Sequence, residues 1–144
     1  MPSHVIVNEW DRKVLLDALT KRPLPFTVDI TKGKRRSVEQ NRLQRLLINE
    51  IAEQLGDRTA EEVRGECKLE LGVPILRAEN EGFCERYDAV VRGLPYETKL
   101  AIMMEPLDMP ITRLMTTGQK TRYLDAIYRK YSALGCVLTV PEAA

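Results

Sequence analysis

The most regular run of apolar residues lies between residues 37 and 55, in SVEQNRLQRLLINEIAEQL. Leucines and isoleucines recur there at three- and four-residue spacings, so a helix would carry them as one apolar stripe. Ser37 and Gln40 fit a capping box at its start, in which each side chain satisfies a free backbone N–H. The residues of the predicted stripe are Leu43, Leu46, Leu47, Ile51 and Leu55.

Helices are also predicted on both sides of this stretch. Asn8 or Asp11 can cap a first helix that ends before Pro23. A second capping box, Thr59 with Glu62, opens a helix to about residue 71, where Gly72 and Pro74 are expected to end it.

The C-terminal half is less regular. Residues 79–92 fit either a helix or a polar excursion, and Pro95 fits the first turn of a short helix. Thr116 and Gln119 form a third capping box before a last helix, which Gly135 ends. The apolar stripe of this last helix is Tyr123, Leu124, Ile127, Tyr128, Tyr131 and Leu134.

Short β-branched or alternating runs near residues 4–7, 25–31 and 136–140 predict three strands. Together with the helices they predict an α+β fold, a small sheet packed by four or five helices. A chain of 144 residues is expected to form one domain, residues 1–144.

Composition narrows the function classes. The chain is 44% hydrophobic and 30% charged, as globular proteins are, and its net charge of +1 provides no global field for nucleic acid. Three widely spaced cysteines and one histidine predict no zinc site and no cofactor, and the cysteines are expected to be reduced thiols of a cytoplasmic protein. No apolar run approaches the roughly 18 residues of a membrane span, and no P-loop motif is present.

Charge is nevertheless concentrated locally. Residues 32–45 carry six basic side chains against one acid, Glu39, and the basic cluster overlaps the start of the long helix. Free N–H groups and basic side chains at a helix N-terminus favour phosphate, although a basic, solvated surface would have the same composition. The basic residues are Lys32, Lys34, Arg35, Arg36, Arg42 and Arg45.

The order of residues in this cluster is informative. Arg36-Ser37-x-x-Gln40-Asn41-Arg42, with a C-terminal block that begins at Thr112, resembles the NinB (Orf) family of bacteriophage recombination proteins. The resemblance implies a homodimeric, non-enzymatic recombination mediator in the cytoplasm of a bacterial host. Such a protein would bind single-stranded DNA and help load the host recombinase onto strands covered by single-strand-binding protein.

We therefore predict a single-stranded DNA site on the basic turn and the helix that follows, with a second patch at the start of the last helix. The amide of Asn41 could contact phosphate, sugar or base edges, whereas Gln40 is assigned mainly to the cap. The predicted contact residues are Lys32, Lys34, Arg35, Arg36, Asn41, Arg42, Arg45, Lys120 and Arg122.

Two alternatives remain open at this stage. Seven acids in residues 50–70 could form a surface by which a phage adaptor binds a host protein. Asp88, with Glu97 and Lys99, weakly resembles the D…E-x-K pattern of metal-dependent nucleases, which requires the E-x-K on a strand, whereas helical character is predicted here. The tyrosines of the last helix could stack on bases, but their spacing favours a core or a dimer interface.

Overall fold

The computed structural model describes residues 6–30 and 35–140, with the side chains of the second range described from residue 39 onward. The chain divides into two compact units, Met1–Glu39 and Gln40–Ala144. The α-helices are α1 (Glu9–Lys21), α2 (Arg35–Leu55), α3 (Ala60–Cys67), α4 (Val73–Glu79), α5 (Glu81–Val90), α6 (Tyr96–Met103) and α7 (Thr117–Ala133). A π-helical turn, Lys68–Gly72, joins α3 to α4, and a 3-10 turn, Thr112–Leu114, precedes α7.

The described residues are helical and contain no strand, so the predicted α+β fold is wrong. Of the predicted strands, residues 6–7, 25–30 and 136–140 have no strand pairing, and residues 4, 5 and 31 lie outside the described part. Apolar and polar residues can alternate along an extended segment that packs against a helix, as well as along a strand of a sheet.

The segment 136–140 shows the physical reason. Cys136 and Leu138 are buried, as the alternation predicts. The backbone of Val137, however, hydrogen-bonds to a side chain of α2: its N–H donates to Gln54 Oε1 at 2.7 Å, and its carbonyl accepts from Gln54 Nε2 at 2.8 Å. Two residues later, Thr139 is bound by α2 in the same way: Glu50 accepts hydrogen bonds from both its N–H and its hydroxyl. Polar side chains of a helix therefore take the place of a neighbouring strand.

In the first unit, α1 is capped as predicted, since Asn8 Oδ1 accepts from Asp11 N at 2.8 Å. The helix ends at Lys21, before Pro23. None of the α1 residues is buried, and Trp10 is 72% exposed.

The second unit has two apolar clusters. The first joins α2, α3, α7 and the segment after α7 through Leu47, Ile51, Val63, Tyr123 and Tyr131, each completely or almost completely buried. The second joins α4, α5, α6 and the 3-10 turn region, and its buried members are Leu69, Val73, Leu76, Tyr87, Val91, Met103 and Ile111.

Both stripes are largely confirmed, with one error at an edge of each. Leu43, Leu47 and Ile51 are buried, but Leu46 is 43% exposed and Ile48 is buried in its place. Leu134, placed at the end of the α7 stripe, is 60% exposed.

The predicted end of the helix after residue 71 is also wrong. Gly72 has helical backbone angles, and the chain continues through the π-helical turn into α4, with Pro74 in the first turn of α4. Pro74 has no N–H to continue the helical ladder, and the chain widens into the π-helical turn immediately before it, where the Val73 N–H donates to the Lys68 carbonyl. Gly72 instead permits close packing: a Cβ on it would lie 2.6 Å from Ile111 Cγ2.

Most of the remaining helix boundaries agree with the sequence, although α2 begins at Arg35, two residues before the predicted cap Ser37. Thr59 and Thr116 both form complete capping boxes. Gly56 and Gly135 follow α2 and α7 with φ of +73° and +100°, which glycine adopts without strain. Residues 79–92, left open above, contain α5. Among the described helices, none is long and apolar enough to cross a membrane.

Candidate nucleic-acid interface

The predicted contact residues fall into four groups: two before α2, two at its first positions, three further along α2 and two on α7. Lys32 and Lys34 lie outside the described residues. Arg35 and Arg36 are the first two residues of α2, and their side chains also lie outside the described part. Because α2 begins at Arg35, Ser37 lies inside the helix and does not occupy the predicted N-cap position.

The predicted residues of α2 in the second unit are exposed. Asn41, Arg42 and Arg45 are all exposed to solvent. Neither arginine makes an ion pair or a hydrogen bond with a described residue. Arg42 and Arg45 lie three residues apart, so they share one side of the helix, whereas Leu43 and Leu47 bury the opposite side.

Gln40 has a tertiary role, which corrects its assignment to the cap. Its side chain is buried, and Nε2 donates to Thr121 Oγ1 at 2.8 Å and to the carbonyl of Thr117 at 3.4 Å. These bonds join α2 to the first turns of α7.

Asn41 makes the next contact between the same helices. Its Oδ1 accepts from Lys120 Nζ at 2.9 Å. The adjacent Gln40 and Asn41 of the motif therefore both fix the start of α7 against α2. Since a carboxamide has two donors on its nitrogen, Asn41 keeps its NH₂ group for a ligand.

Lys120 of α7 is a buried lysine that contacts α2. The residue is only 7% exposed, and the neutral amide of Asn41 provides its one hydrogen bond to a described residue. Burial lowers the pKa of Lys120 from 10.5 to about 8, because desolvation disfavours the ammonium ion.

Lys68 is buried to a similar degree, but its ammonium has a carboxylate partner. Its Nζ donates to Asp108 Oδ1 and to the carbonyl of Met103, both at 2.7 Å. Lys68 thus has a carboxylate to balance its charge, whereas none of the described carboxylates bonds to Lys120.

Arg122, another predicted contact residue, already forms an ion pair within the protein. Its guanidinium forms a two-pronged ion pair with Glu79, in which Nη2 donates to Oε1 at 2.6 Å and Nη1 donates to Oε2. The Glu79 contact raises the pKa of Arg122, and the same contact lowers that of Glu79. A phosphate would have to compete with this carboxylate.

A cleft of about 520 Å³ lies beside the exposed face of α2. Its lining includes residues at positions i, i+3, i+4, i+7 and i+8 of that helix, which is the spacing of one helical face. We call it the polar cleft, and its α2 wall is formed by Asn41, Gln44, Arg45, Ile48 and Asn49.

The rest of the polar cleft carries mixed charge. Lys120 closes it from α7, Glu61 and Arg64 line it from α3, and Glu105 and Thr112 contribute from the chain between α6 and α7. Arg64 donates to Glu61 Oε1 at 2.8 and 2.5 Å, so the charge of Glu61 is already balanced.

Sequence reasoning missed Gln44 and Arg64 as cleft residues. Gln44 Oε1 is buried and has no hydrogen-bond partner among the described groups. The spacing of Gln44 from Asn41 could have placed it on the same face, but the position of Arg64 depends on how α3 packs and has no signal in the sequence.

The acidic segment is largely occupied internally. The carboxylates of Glu61 and Glu66 pair with Arg64 and Arg58, and Glu70 pairs with Lys130. Glu50 binds Thr139, Glu62 completes a capping box, and Asp57 pairs with Arg58. Of the seven acids, Glu53 alone makes no such contact with a described residue.

The nuclease pattern is dispersed. Glu97 and Lys99 lie on α6, a helix as predicted, and Asp88 of α5 pairs with Arg77. The described residues contain no cluster of three or more potential metal ligands. The core interpretation of the tyrosines is confirmed for Tyr123 and Tyr131, which are completely buried, and Tyr128 packs against the same cluster.

Comparison of the chain with family models, with curated proteins and with solved structures found no match.

Proposed function

We propose that this protein binds single-stranded DNA through the exposed polar face of α2 and acts as a phage recombination mediator. The residues that carry binding are Asn41, Arg42 and Arg45, all in the second unit. The role as a mediator follows from the resemblance of the QNR-containing motif to the NinB family.

One observation carries the binding proposal: Arg42 and Arg45 are exposed on one side of α2, next to the amides of Asn41 and Gln44, and neither pairs with a described residue. Elsewhere in the second unit Arg58, Arg64 and Arg77 are held in ion pairs. Exposed guanidinium groups without a protein partner are available to phosphate, and each phosphate contact releases condensed counterions.

The neighbouring amides favour a single strand over a duplex. Asn41 and Gln44 lie on the same face as Arg45, so the groups that hold a phosphate and the groups that can read a base edge are adjacent. In a single strand the bases can turn away from their neighbours and reach such amides.

The test compares the affinity of three proteins for a fluorescent oligodeoxynucleotide. Wild type is measured beside the double variant Arg42→Ala/Arg45→Ala and a charge-matched control, Arg86→Ala/Arg129→Ala. The control arginines are also exposed, and they make no ion pair with a described residue. The loss of two phosphate contacts should weaken binding roughly 20-fold at about 0.1 M salt, and the control should bind as wild type does. Equal losses in both double variants would contradict the proposal.

The homodimer and the host partners are part of the same proposal. Leu107 and Leu114, in the irregular link before α7, are 68% and 46% exposed and could belong to an interface. Sedimentation should give about twice the monomer mass of 16.5 kDa, whereas a mass that remains monomeric at micromolar concentrations would refute the dimer. Pull-down with single-strand-binding protein tests the partner separately.

We also propose that the protein is not an enzyme. Labelled DNA incubated with Mg²⁺ or Mn²⁺ should remain intact. Cleavage that disappears in Glu97→Ala would overturn this proposal and support the nuclease alternative.

The adaptor alternative gains no support, because the acids of residues 50–70 are mostly used inside the second unit.

A further inference from the structure

The polar cleft contains a buried cation whose charge is not balanced. Lys120 is more than nine-tenths buried, and among the described groups its ammonium bonds only to the neutral Asn41 Oδ1. A buried charge is costly unless it is paired. Because Lys120 lines an open cleft, an anion that enters the cleft can pair with its ammonium and balance the charge.

The other charged groups of the cleft agree with this reading. Arg45 lines the same wall and has no carboxylate partner in the described part, whereas Arg64 is occupied by Glu61 and Asp108. Glu105 also lines the cleft and is exposed, so it is an acid that an incoming anion would meet. Among the described residues that line the cleft, Lys120 and Arg45 are therefore the cations without a carboxylate partner.

We propose that the polar cleft binds one phosphate group of a nucleotide, with the ammonium of Lys120 and the guanidinium of Arg45 as its two cations. The inference rests on the proposed function for the source of the phosphate, which is a bound DNA strand. The phosphate is either an internal phosphodiester or the monoester at a 5′ end.

The size and lining of the cleft favour a nucleotide over a bare ion. Its volume of about 520 Å³ leaves room beyond the phosphate. Gln44 and Asn49 carry carboxamides on the α2 wall of the cleft, and a carboxamide can pair with the edge of a base. Gln44 and Asn49 would then face the base while Lys120 and Arg45 hold its phosphate.

A phosphate at Lys120 makes binding depend on pH in a defined direction. The free protein releases the Lys120 proton at a pKa of about 8, and a neighbouring phosphate raises that pKa. Affinity should therefore be nearly constant below the free pKa and fall above it, since the cation must be regenerated before the anion can bind. Between about pH 7 and about pH 9 the expected loss is roughly tenfold.

The first measurement follows the affinity for an oligodeoxycytidylate over this pH range in wild type, Lys120→Met and Lys99→Met. Lys99 is the matched control, because it is half-buried, has no ion pair with a described residue and does not line the cleft. Wild type and Lys99→Met should lose roughly tenfold in affinity, and Lys120→Met should bind weakly with little pH dependence. A fall with pH that persists in Lys120→Met would overturn the inference.

The second measurement observes Lys120 directly, by the NMR shift of its Cε as pH is raised. Saturation with deoxyadenosine 5′-monophosphate should raise the pKa of Lys120 by about two units, and Glu105→Gln should tighten nucleotide binding. Oligonucleotides with and without a 5′ phosphate separate the two sources, because only a monoester site prefers the phosphorylated end. If inorganic phosphate raises the pKa of Lys120 as effectively as the nucleotide does, the cleft binds only a bare anion, and the nucleotide proposal is wrong.

Failure of this inference is distinguishable from failure of the proposed function. An unchanged Lys120 pKa, with strand binding that still requires Arg42 and Arg45, removes the phosphate site and leaves the function. A raised Lys120 pKa in a protein that does not bind the strand removes the function and leaves a nucleotide site.

Discussion

Replacement of Lys120 by methionine is expected to stabilise the protein while it removes the phosphate site. Methionine keeps an unbranched side chain of similar length but has no charge to desolvate. Functional groups commonly cost stability in this way, since a site must be ready for a ligand that is absent from the free protein.

The magnitude follows from the pKa of the lysine. The fall from 10.5 to about 8 corresponds to roughly 3 kcal/mol against the charged form in the folded state, at 1.36 kcal/mol per unit. Loss of the hydrogen bond to Asn41 offsets about 1 kcal/mol of the gain. We therefore expect Lys120→Met to raise the free energy of unfolding by about 2 kcal/mol near pH 7.

The pH dependence checks the mechanism. Because the unfolded chain holds the Lys120 proton more tightly than the folded chain, wild type gains stability as pH rises from about 8 toward 10.5. Below about pH 8 the penalty is fully present. The advantage of Lys120→Met should thus be largest near neutral pH and should shrink above pH 8.

Urea unfolding of both proteins at several pH values measures this difference, and groups that titrate in both proteins cancel in the comparison. Lys68→Met is the control, because this lysine does have a carboxylate and a carbonyl to satisfy. Burial lowers the pKa of Lys68 too, but its removal would take away the donor to the Met103 carbonyl and one donor to Asp108. The control should therefore lower the free energy of unfolding by about 1 to 3 kcal/mol. A Lys120→Met protein that is less stable than wild type at every pH would refute the argument that Lys120 is an unbalanced charge.

Other substitutions test the packing and the charge assignments. Gly65→Ala should destabilise the protein by about 1 to 3 kcal/mol, because its Cβ would lie 2.6 Å from Met104 Cγ; Gly82→Ala, with no neighbour nearer than 3.7 Å, should be neutral or stabilising by up to about 1 kcal/mol. Thermal unfolding distinguishes the two, and equal effects would contradict the packing argument. Arg122→Ala should leave the affinity for single-stranded DNA nearly unchanged, because Glu79 already occupies the guanidinium; a tenfold loss in the same binding assay would show that the ion pair opens for DNA.

The helices were largely predictable because their signals are local. Capping boxes at Thr59 and Thr116 and the positive-φ glycines at 56 and 135 act within a few residues. The apolar stripes reported their buried faces for the same reason, with errors only at positions such as Leu46 where the face meets solvent.

The sheet was wrongly predicted because strand pairing is not local. The alternation at residues 136–140 correctly marks Cys136 and Leu138 as buried, but no pattern in that segment reveals that Gln54 and Glu50 will bind its backbone. Gly72 misled for a related reason, since its role is set by the distant Ile111.

The predicted site was recovered unevenly for the same reason. The exposed positions of Arg42 and Arg45 follow from helical spacing alone. The ion pair of Arg122 with Glu79, and the bond of Lys120 to Asn41, join residues far apart in the sequence. Neither the occupied arginine nor the buried lysine could be foreseen without the packing of α7.

The salt dependence of binding tests the central claim, that α2 contacts the phosphates of single-stranded DNA, most directly. The slope of log K against log salt is measured between about 0.05 and 0.2 M for wild type and for Arg42→Ala/Arg45→Ala. Each phosphate contact contributes about −0.7 to this slope, so the double variant should be shallower by about 1.4. An unchanged slope in the double variant would show that Arg42 and Arg45 are only a solvated surface, and would contradict the proposed function.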